Sequence, residues 1–347
     1  MIPRVSVLCS TFRPGGIDIL LAGMAAQTFG DFEVIFVDHR YGLRHARVVE
    51  ESRAAGVPLL HVPEHRRNGK WGTIGSAWNT AMALADGEIF IFLPDWTYAP
   101  AGWIEQHLRY RSGRTMAYTV GPYCYTELPP LWMKKPFDFA GQNDRGANCT
   151  EPDAVLNGEI FDEISAFASQ FTGTVARGLR HHVYPHQDTR EAGPGQGVHP
   201  TWLHLKNESV HRDVAFAING LDERLDRGKG PLDIDWGYRL YAAGGFSTWA
   251  PEAMAIYPNP RWICGSMPWG HRDERVEGRW CYHDGNNYNQ RRIQEGDTRA
   301  KNPFSLDELR TKLLAAGWRD PTRVIDVSAL DIEDLDYYGQ EIWPDTP

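Results

Sequence analysis

The chain has 347 residues, and its 36 Lys and Arg against 45 Asp and Glu give a formal net charge of −9 at pH 7. Hydrophobic residues make up 42% and charged residues 23% of the sequence, which excludes wholesale disorder, collagen-like repeats and coiled coil. No run of apolar residues approaches the ~18 that a membrane helix requires, so we predict a soluble, cytoplasmic protein without a transmembrane segment.

The first hundred residues alternate strand-like and helix-like runs, which is the pattern of a parallel sheet covered by helices. The predicted strands lie at 5–9, 32–38, 58–62 and 88–93, and the predicted helices at 17–26, 43–55 and 74–85. Asp86-Gly87 is a stop signal for the third helix. We therefore predict an α/β fold with a mostly parallel, Rossmann-like central sheet flanked by helices.

The second half of the chain is less regular. Between residues 113 and about 201, Gly, Pro, Asn and His accumulate, so long loops are predicted there, interrupted by one helix at about 159–170. Such long loops tend to be lids or binding loops. Regular structure is predicted again at 210–218 and in a helix at 233–243. A last helix begins at Ser305, which forms a capping box with Glu308, and an acidic tail follows.

Charge and cysteine usage exclude several kinds of site. The five cysteines are scattered and form no CxxC, so neither a disulfide framework nor a zinc knuckle is predicted. The net negative charge disfavours a protein that holds nucleic acid by bulk charge. The histidine-rich stretch 181–211 is interpreted as surface or acceptor loop rather than zinc site. In it, Pro185 separates His182 from His186, and no HExxH motif is present.

Carboxylates stand at three places where ligands gather in such folds. Asp38 ends a predicted strand, and ligands of an open α/β sheet bind at the carboxyl ends of its strands. Asp95 follows the most apolar strand, where a carboxylate can hold a divalent cation against a diphosphate. Asp233 and Asp235 stand at the predicted start of a helix, whose dipole favours an ionised carboxylate suited to general-base work. Each also has a plain interpretation as a loop charge or a helix cap.

Five segments carry a family resemblance through their order: VSVLCSTFRPGG, FEVIFVDHR, NGKWGTIGSAWNTAMALADGEIFIFLPDW, NGLDE and DIDWGYRL. In this order they resemble the family 2 glycosyltransferases with the GT-A fold. The resemblance implies an inverting transfer of a sugar from a nucleotide-diphosphate donor, with UDP-sugars favoured, to an acceptor hydroxyl, usually with Mn²⁺ or Mg²⁺. It implies a nucleotide-sugar-binding half at 1–112, an acceptor-binding and catalytic half at 113–300, and a C-terminal helix and acidic tail at 301–347.

The resemblance implies a donor site in the first half of the chain. Its donor-binding residues would be Thr11, Arg13, Asp38, Gly69, Ser76, Asn79 and Asp95. Asp38 would match the aspartate that contacts the base. The metal-binding Asp-x-Asp of the family falls on Pro94-Asp95-Trp96, which leaves Asp95 as its one carboxylate and as a metal ligand. His271, with His283 in reserve, would be a further metal ligand.

The resemblance assigns the chemistry to the second half. Asp233 matches the base of the family, while Leu232 stands where its neighbouring glutamate would be. An ionised carboxylate within reach of the acceptor hydroxyl takes its proton as that oxygen attacks the anomeric carbon opposite the leaving diphosphate, and the configuration inverts. Trp202 and Asp235 are the predicted acceptor-binding residues.

The sequence leaves several alternatives open. The degenerate metal motif also fits a catalytically silent protein that binds nucleotide sugars. A nucleotidyltransferase would need a glycine-rich phosphate loop with a following Lys, for which STFRPGG is too weak, and a dehydrogenase would need GxGxxG after the first strand. Saccharide, lipid-linked or small-molecule acceptors are favoured over a nucleic-acid acceptor carrying a modified DNA base.

Overall fold

The structure is a computed structural model that describes residues 4–11, 16–39, 41–65, 74–95, 97–111, 115–126, 205–225, 231–258 and 298–327. The helices in these residues are α1 (Ile17–Ala25), α2 (Tyr41–Ala54), α3 (Ile74–Leu84), α4 (Trp103–Arg111), α5 (Arg212–Ala217), α6 (Pro231–Ala242) and α7 (Leu306–Ala315). The strands are β1 (Val5–Thr11), β2 (Phe32–Asp38), β3 (Leu59–Val62), β4 (Ile89–Phe92), β5 (Ala117–Val120), β6 (Tyr123–Thr126), β7 (Glu208–His211), β8 (Phe246–Trp249) and β9 (Ala255–Pro258). No helix in the described ranges has the length and hydropathy needed to span a membrane.

Seven of these strands form one sheet in the order β3-β2-β1-β4-β7-β5-β8. Neighbouring strands pair in parallel except at β7, which runs antiparallel to both β4 and β5. Strands β6 and β9 form a separate parallel pair. The prediction of a mostly parallel central sheet flanked by helices is therefore confirmed.

The sheet is covered on both faces, which explains why its central strands are continuously apolar. All four residues of β4 are buried. One face packs Leu8, Phe90 and Phe92 against helices α3, α6 and α7. The other face packs Val7 and Ile91 against α1 and α4. Strands from both predicted halves share this sheet, and residues from both halves lie in the core on each of its faces.

The direction of the strands defines two edges of the sheet. The carboxyl edge is the edge at which β1, β2, β3 and β4 end. Strand β7 runs the opposite way, so its first residue, Glu208, pairs with Phe92 at this edge. Helix α6 leads into β8, and its Trp236 ring contacts the ring of Phe92, the last residue of β4, so this part of α6 lies at the carboxyl edge as well. The opposite edge is called the amino edge.

Several predicted element ends agree with the structure. Helix α3 ends at Leu84, just before the Asp86-Gly87 stop signal. The capping box of α7 is complete, because Ser305 Oγ accepts the Glu308 N–H and the Glu308 carboxylate accepts the Ser305 N–H. The helix predicted at 159–170 lies outside the described residues.

The prediction of long loops from residue 113 onward is wrong for the part of that segment that the structure describes. Strands β5 and β6 lie there, separated by Gly121-Pro122. Each strand has four residues, and its pairing partners β7, β8 and β9 come much later in the chain. A local pattern of four residues beside a turn gives no indication of such distant partners.

Candidate active site

The carboxyl edge brings two predicted donor-binding residues into direct contact. Thr11 is the last residue of β1, and Asp95 follows the neighbouring strand β4. The Thr11 hydroxyl donates to Asp95 Oδ2 at 2.8 Å, although the two residues are 84 positions apart. Both side chains are buried. The hydrogen bond therefore fixes the orientation of the carboxylate that the sequence assigns to the donor and the metal.

Asp38 ends β2, as predicted, and is completely buried. Arg44 binds both of its oxygens, with Nε 2.5 Å from Oδ2 and Nη2 2.9 Å from Oδ1. His61 Nε2 lies 3.0 Å from Oδ2. Burial raises the pKa of Asp38, but Arg44 and His61 outweigh burial and hold the pKa well below its ordinary value. Asp38 is thus an ionised carboxylate held by the protein, and its predicted contact with the base stays a prediction.

A second histidine extends this network from Asp38 into α2. His61 Nδ1 lies 3.1 Å from His45 Nδ1, and the Tyr41 ring packs on both imidazoles. Because the ionised Asp38 can only accept, His61 donates to it from Nε2, which leaves Nδ1 of His61 facing His45. Burial lowers the pKa of His45, and nearby His61 lowers it further. The network therefore favours a neutral imidazole at His45.

Ser76 and Asn79 lie on α3, as predicted, and both are buried. The Asn79 amide nitrogen donates to Leu221 O at 2.9 Å and to Glu223 Oε1 at 2.8 Å, while its oxygen accepts the Leu221 N–H at 2.8 Å. Ser76 Oγ lies 3.5 Å from His65 Nδ1. Asn79 thus joins α3 to the segment 219–223, and the predicted contacts of both residues with the donor stay predictions.

The segment that Asn79 holds reaches the carboxyl edge at Glu223. His65 follows β3 at this edge, and its Nε2 lies 3.5 Å from Glu223 Oε1. The other ring nitrogen of His65 lies 2.8 Å from Thr80 Oγ1. The buried carboxylate of Glu223 lies between α3 and the end of β3. Glu223 belongs to the NGLDE segment of the family resemblance, but the sequence alone assigns it no role.

Asp233 lies in the first turn of α6, where the sequence places it. It is half-buried, and its Oδ1 accepts the Ile234 N–H at 2.9 Å. One turn later, the Trp236 ring meets the Phe92 ring edge-to-face, with centroids 5.7 Å apart. Phe92 is the last residue of β4, three positions before Asp95. The second turn of α6 therefore packs against the end of β4, and Asp233 lies one turn before this contact.

Asp235 is in a different environment from Asp233, although both lie at the start of α6. It is only 2% exposed, and its Oδ2 accepts from Arg239 Nε at 2.7 Å. A carboxylate paired in this way faces the interior of the protein. Its predicted contact with an acceptor stays a prediction.

Glu208 and Asn207 are two further residues at the carboxyl edge to which the sequence assigns no role. Glu208 is a buried carboxylate that pairs with Phe92 on one side and with Val120 on the other. Asn207 adopts a left-handed φ of 58° and accepts hydrogen bonds from Trp103 Nε1 at 2.6 Å and His107 Nε2 at 3.0 Å. The Asn type is a weak signal for the left-handed conformation. The four-residue strand gives no signal for Glu208.

The remaining predicted site residues lie outside the described part of the chain: Arg13, Gly69, Trp202, His271 and His283. Within the described part, no group of three or more His, Cys, Asp or Glu could hold a metal ion. A Mg²⁺-type site needs less from the protein, because one or two carboxylates together with substrate phosphates often suffice. Asp95, oriented by Thr11, fits the part of such a carboxylate.

Comparison with protein-family models finds no match, and comparison with curated proteins finds none either. Among solved structures, this chain is similar to TarS 1-349 of S. aureus in complex with UDP, with 14% identity, a TM-score of 0.47, and 74% of this chain and 61% of that chain covered. It is also similar to the mannosyltransferase PcManGT of Pyrobaculum calidifontis in complex with GDP-Man and Mn²⁺ (14% identity, TM-score 0.43, 92% and 72% covered). A third is GalNAc-T7 with UDP, GalNAc and Mn²⁺ (12% identity, TM-score 0.47, 91% and 55% covered).

This chain spans less than two thirds of the TarS structure. Since the TM-scores lie below 0.5, the function of this chain has to be inferred from its own residues.

Proposed function

We propose that this protein is a glycosyltransferase of the GT-A type, which moves a sugar from a nucleotide-diphosphate donor to an acceptor hydroxyl. The observation that carries the proposal is the contact between Trp236 and Phe92, because it packs the second turn of α6, one turn after Asp233, against the end of β4. In this proposal Asp233, a carboxylate suited to act as a base, reaches the edge where Thr11 and Asp95 meet. Base and donor groups at one sheet edge are what the transfer requires.

In this proposal Asp233 is the general base. The positive end of the α6 dipole favours the ionised form of a carboxylate in its first turn. The carboxylate accepts the proton of the acceptor hydroxyl while the hydroxyl oxygen bonds to the anomeric carbon of the donor sugar. The bond from that carbon to the diphosphate breaks on the opposite face, so the configuration inverts and the nucleoside diphosphate leaves.

Thr11 and Asp95 would serve the donor. Asp95, with His271 as the proposed second ligand, would hold Mn²⁺ or Mg²⁺ beside the diphosphate oxygens. A bound cation of this kind neutralises charge that develops on the departing diphosphate. Thr11 fixes the direction of the Asp95 carboxylate through their 2.8 Å hydrogen bond. Arg13, Asp38, Gly69, Ser76 and Asn79 complete the proposed donor site.

The acceptor side is proposed more broadly. Trp202 and Asp235 are the proposed acceptor-binding residues, and saccharide, lipid-linked and small-molecule hydroxyls are the proposed acceptors. Cytoplasmic localisation and the three-part division at residues 112 and 300 belong to the same proposal.

The test uses the purified chain with UDP- and GDP-sugars, Mn²⁺ or Mg²⁺, and a panel of hydroxyl acceptors. We expect Asp233→Asn to lower kcat by about 10²–10⁴-fold, the usual contribution of a positioned base, and to change the nucleotide Kd by less than about twofold. Asp213→Asn is the matched control, because Asp213 also lies in the first turn of a helix but its side chain is 80% exposed and remote from the carboxyl edge. We expect that variant to retain full activity.

Two results would contradict the proposal. Undiminished transfer by Asp233→Asn would show that another group is the base, with Glu208 as the next carboxylate to substitute. A wild-type protein that binds a nucleotide sugar but transfers to no acceptor would favour the catalytically silent binding protein instead.

A further inference from the structure

The turn Ile218–Leu221 is a buried junction between distant parts of the chain. Asn219 and Gly220 both adopt left-handed backbone, with φ of 61° and 64°. A Cβ on Gly220 would lie 2.4 Å from Asn79 Oδ1, so only glycine fits against α3 there. The carbonyl groups of two consecutive left-handed residues cannot join the regular backbone hydrogen bonds of a helix or a strand. Those carbonyls need donors from elsewhere, because a buried carbonyl without a partner is costly.

Side chains from α3 and from the C-terminal segment supply some of these donors. The Asn302 amide nitrogen donates to Asn219 O at 3.1 Å and to Leu221 O at 2.8 Å. Asn79 donates to Leu221 O from the other side. In return, the Asn219 side chain donates to Ala300 O. The turn is therefore anchored to α3 and to the residues that lead into α7.

Helix α6 is joined to the same turn by Arg239. Its Nη1 donates to Ile218 O at 2.9 Å and to Gly220 O at 2.8 Å. Its Nε donates to Asp235, one turn earlier on the same helix. Arg239 is 1% exposed and Asp235 2% exposed. One planar guanidinium thus holds two carbonyls of the turn on one side and a carboxylate of α6 on the other.

Stability alone is a poor explanation for this buried pair. Taking two charges out of water costs several kcal/mol. A protein with well-packed apolar residues in place of a buried ion pair is often as stable as the original protein, or more stable. An apolar pair would, however, supply no directional contact to Ile218 O and Gly220 O. The rigid fork of a guanidinium sets both the distance and the angle between α6 and the turn.

We propose that Arg239, oriented by Asp235, is a positioning residue that fixes α6 against the Ile218–Leu221 turn and thereby sets where Asp233 lies at the carboxyl edge. Asp235 contributes to this placement through Arg239. The proposal rests on the function proposed above, in which Asp233 is the base. Displacing such a group by about 1 Å can lower the rate by about 10²-fold.

The experiment compares Arg239→Met with Arg310→Met. Arg310 is a matched control because it also donates to two backbone carbonyls, Ala83 O and Ala85 O, and to one carboxylate, that of Asp86, but at the amino edge. The readouts are hydrogen exchange of the backbone amides of α6, kcat and KM, and the Kd of UDP or GDP. Asp235→Asn and Arg239→Lys provide milder changes that retain most of the volume if Arg239→Met does not fold.

We expect Arg239→Met to speed exchange across α6 and to lower kcat by at least about tenfold, with the nucleotide Kd changed less than about twofold. Arg239→Lys restores part of kcat, because an ammonium group still donates to the carbonyls. Arg310→Met leaves α6 exchange and kcat at wild-type values. Exchange in α6 that is unchanged in Arg239→Met would overturn the inference.

The exchange readout separates this inference from the proposed function. A wild-type protein that turns over no donor would overturn the glycosyltransferase proposal, whereas faster α6 exchange in Arg239→Met would still support the role of Arg239 in holding α6. A loss of kcat without any change in α6 exchange would show that Arg239 acts in another way and would overturn the inference.

Discussion

Arginine–carboxylate ion pairs occur at both edges of the sheet, but they have different roles at the two edges. At the amino edge, Arg319 Nη2 lies 2.9 Å from Glu33 Oε2 and 2.8 Å from Asp86 Oδ2. Arg310 binds the other Asp86 oxygen at 2.5 Å and donates to Ala83 O and Ala85 O, on either side of the last residue of α3. These contacts close the end of α3, where a cation is favoured by the helix dipole. They tie the C-terminal segment to the sheet.

At the carboxyl edge, the same chemistry surrounds the groups that the proposed reaction uses. Asp38 is held by Arg44 and Asp235 by Arg239, while Asp233 is half-buried at the start of α6. The difference shows that a count of ion pairs does not identify a functional edge. The direction of the strands does so, because the strand ends and helix starts that bind ligands meet at one edge.

The largest effect on stability is expected at the carboxyl edge, where Arg44→Met leaves Asp38 buried without its main partner. We expect a loss of about 3–5 kcal/mol in the free energy of unfolding, because an uncompensated buried charge remains. Arg47→Met is the control on the same helix, since the Arg47–Glu51 pair is well exposed. It is expected to cost less than about 0.5 kcal/mol. Urea denaturation of both variants measures the difference, and a loss below about 1 kcal/mol for Arg44→Met would show that Asp38 is not locked in place.

The next largest effect is expected in the pH dependence of stability, and it comes from His107. Burial lowers its pKa to about 4, an effect that Asn207 opposes and Arg111 reinforces. Between pH 6.5 and 4 the unfolded chain binds a proton here that the folded protein does not, so stability falls as the pH is lowered through this window. We expect wild type to lose on the order of 2–3 kcal/mol more than His107→Gln between pH 7 and pH 4. Urea denaturation at each pH tests this, and parallel curves for the two proteins would contradict it.

The sequence predicted those parts of the carboxyl edge that depend on local patterns. Asp38 at the end of a strand, Asp95 after the apolar strand and Asp233 at a helix start all follow from short runs of residues. That Asp38 and Asp95 lie at the same edge also follows, once their strands are taken as parallel.

The rest of the candidate site depends on contacts between distant segments. Glu208 is buried at this edge because a four-residue strand inserts between β4 and β5. Arg239 can bind the turn because the carbonyls of Ile218 and Gly220, 21 and 19 positions earlier in the chain, face its guanidinium. Asn79 binds a segment 142 positions away instead of facing solvent. No pattern within one helix or strand contains this information, because the partners are supplied by the tertiary fold.

Substitutions at the amino edge are expected to lower the free energy of unfolding without changing kcat. Arg319→Met removes the bonds to Glu33, Asp86 and the Leu84 carbonyl, and we expect a loss of about 1–2 kcal/mol because these charge-assisted bonds are partly exposed. We expect kcat to stay at the wild-type value. Arg323→Met is the control, because Arg323 is exposed in the same segment. A fall in kcat that exceeds the loss of folded protein would show that the two edges are coupled.

The smallest effect is expected at the start of α7, which carries Arg310 to the amino edge. Ser305→Ala removes the acceptor for the Glu308 N–H and should lower the free energy of unfolding by about 1 kcal/mol. Ser305→Asp keeps an acceptor at the same place and should stay within a few tenths of wild type. Leu306, Leu309 and Leu313 still hold α7 in the core, so Arg310 should keep its partners in both variants. If Ser305→Ala instead cost more than about 2 kcal/mol, the upper end for loss of a cap, the cap rather than the leucines would hold α7 in place, and the amino edge would depend on a single hydroxyl.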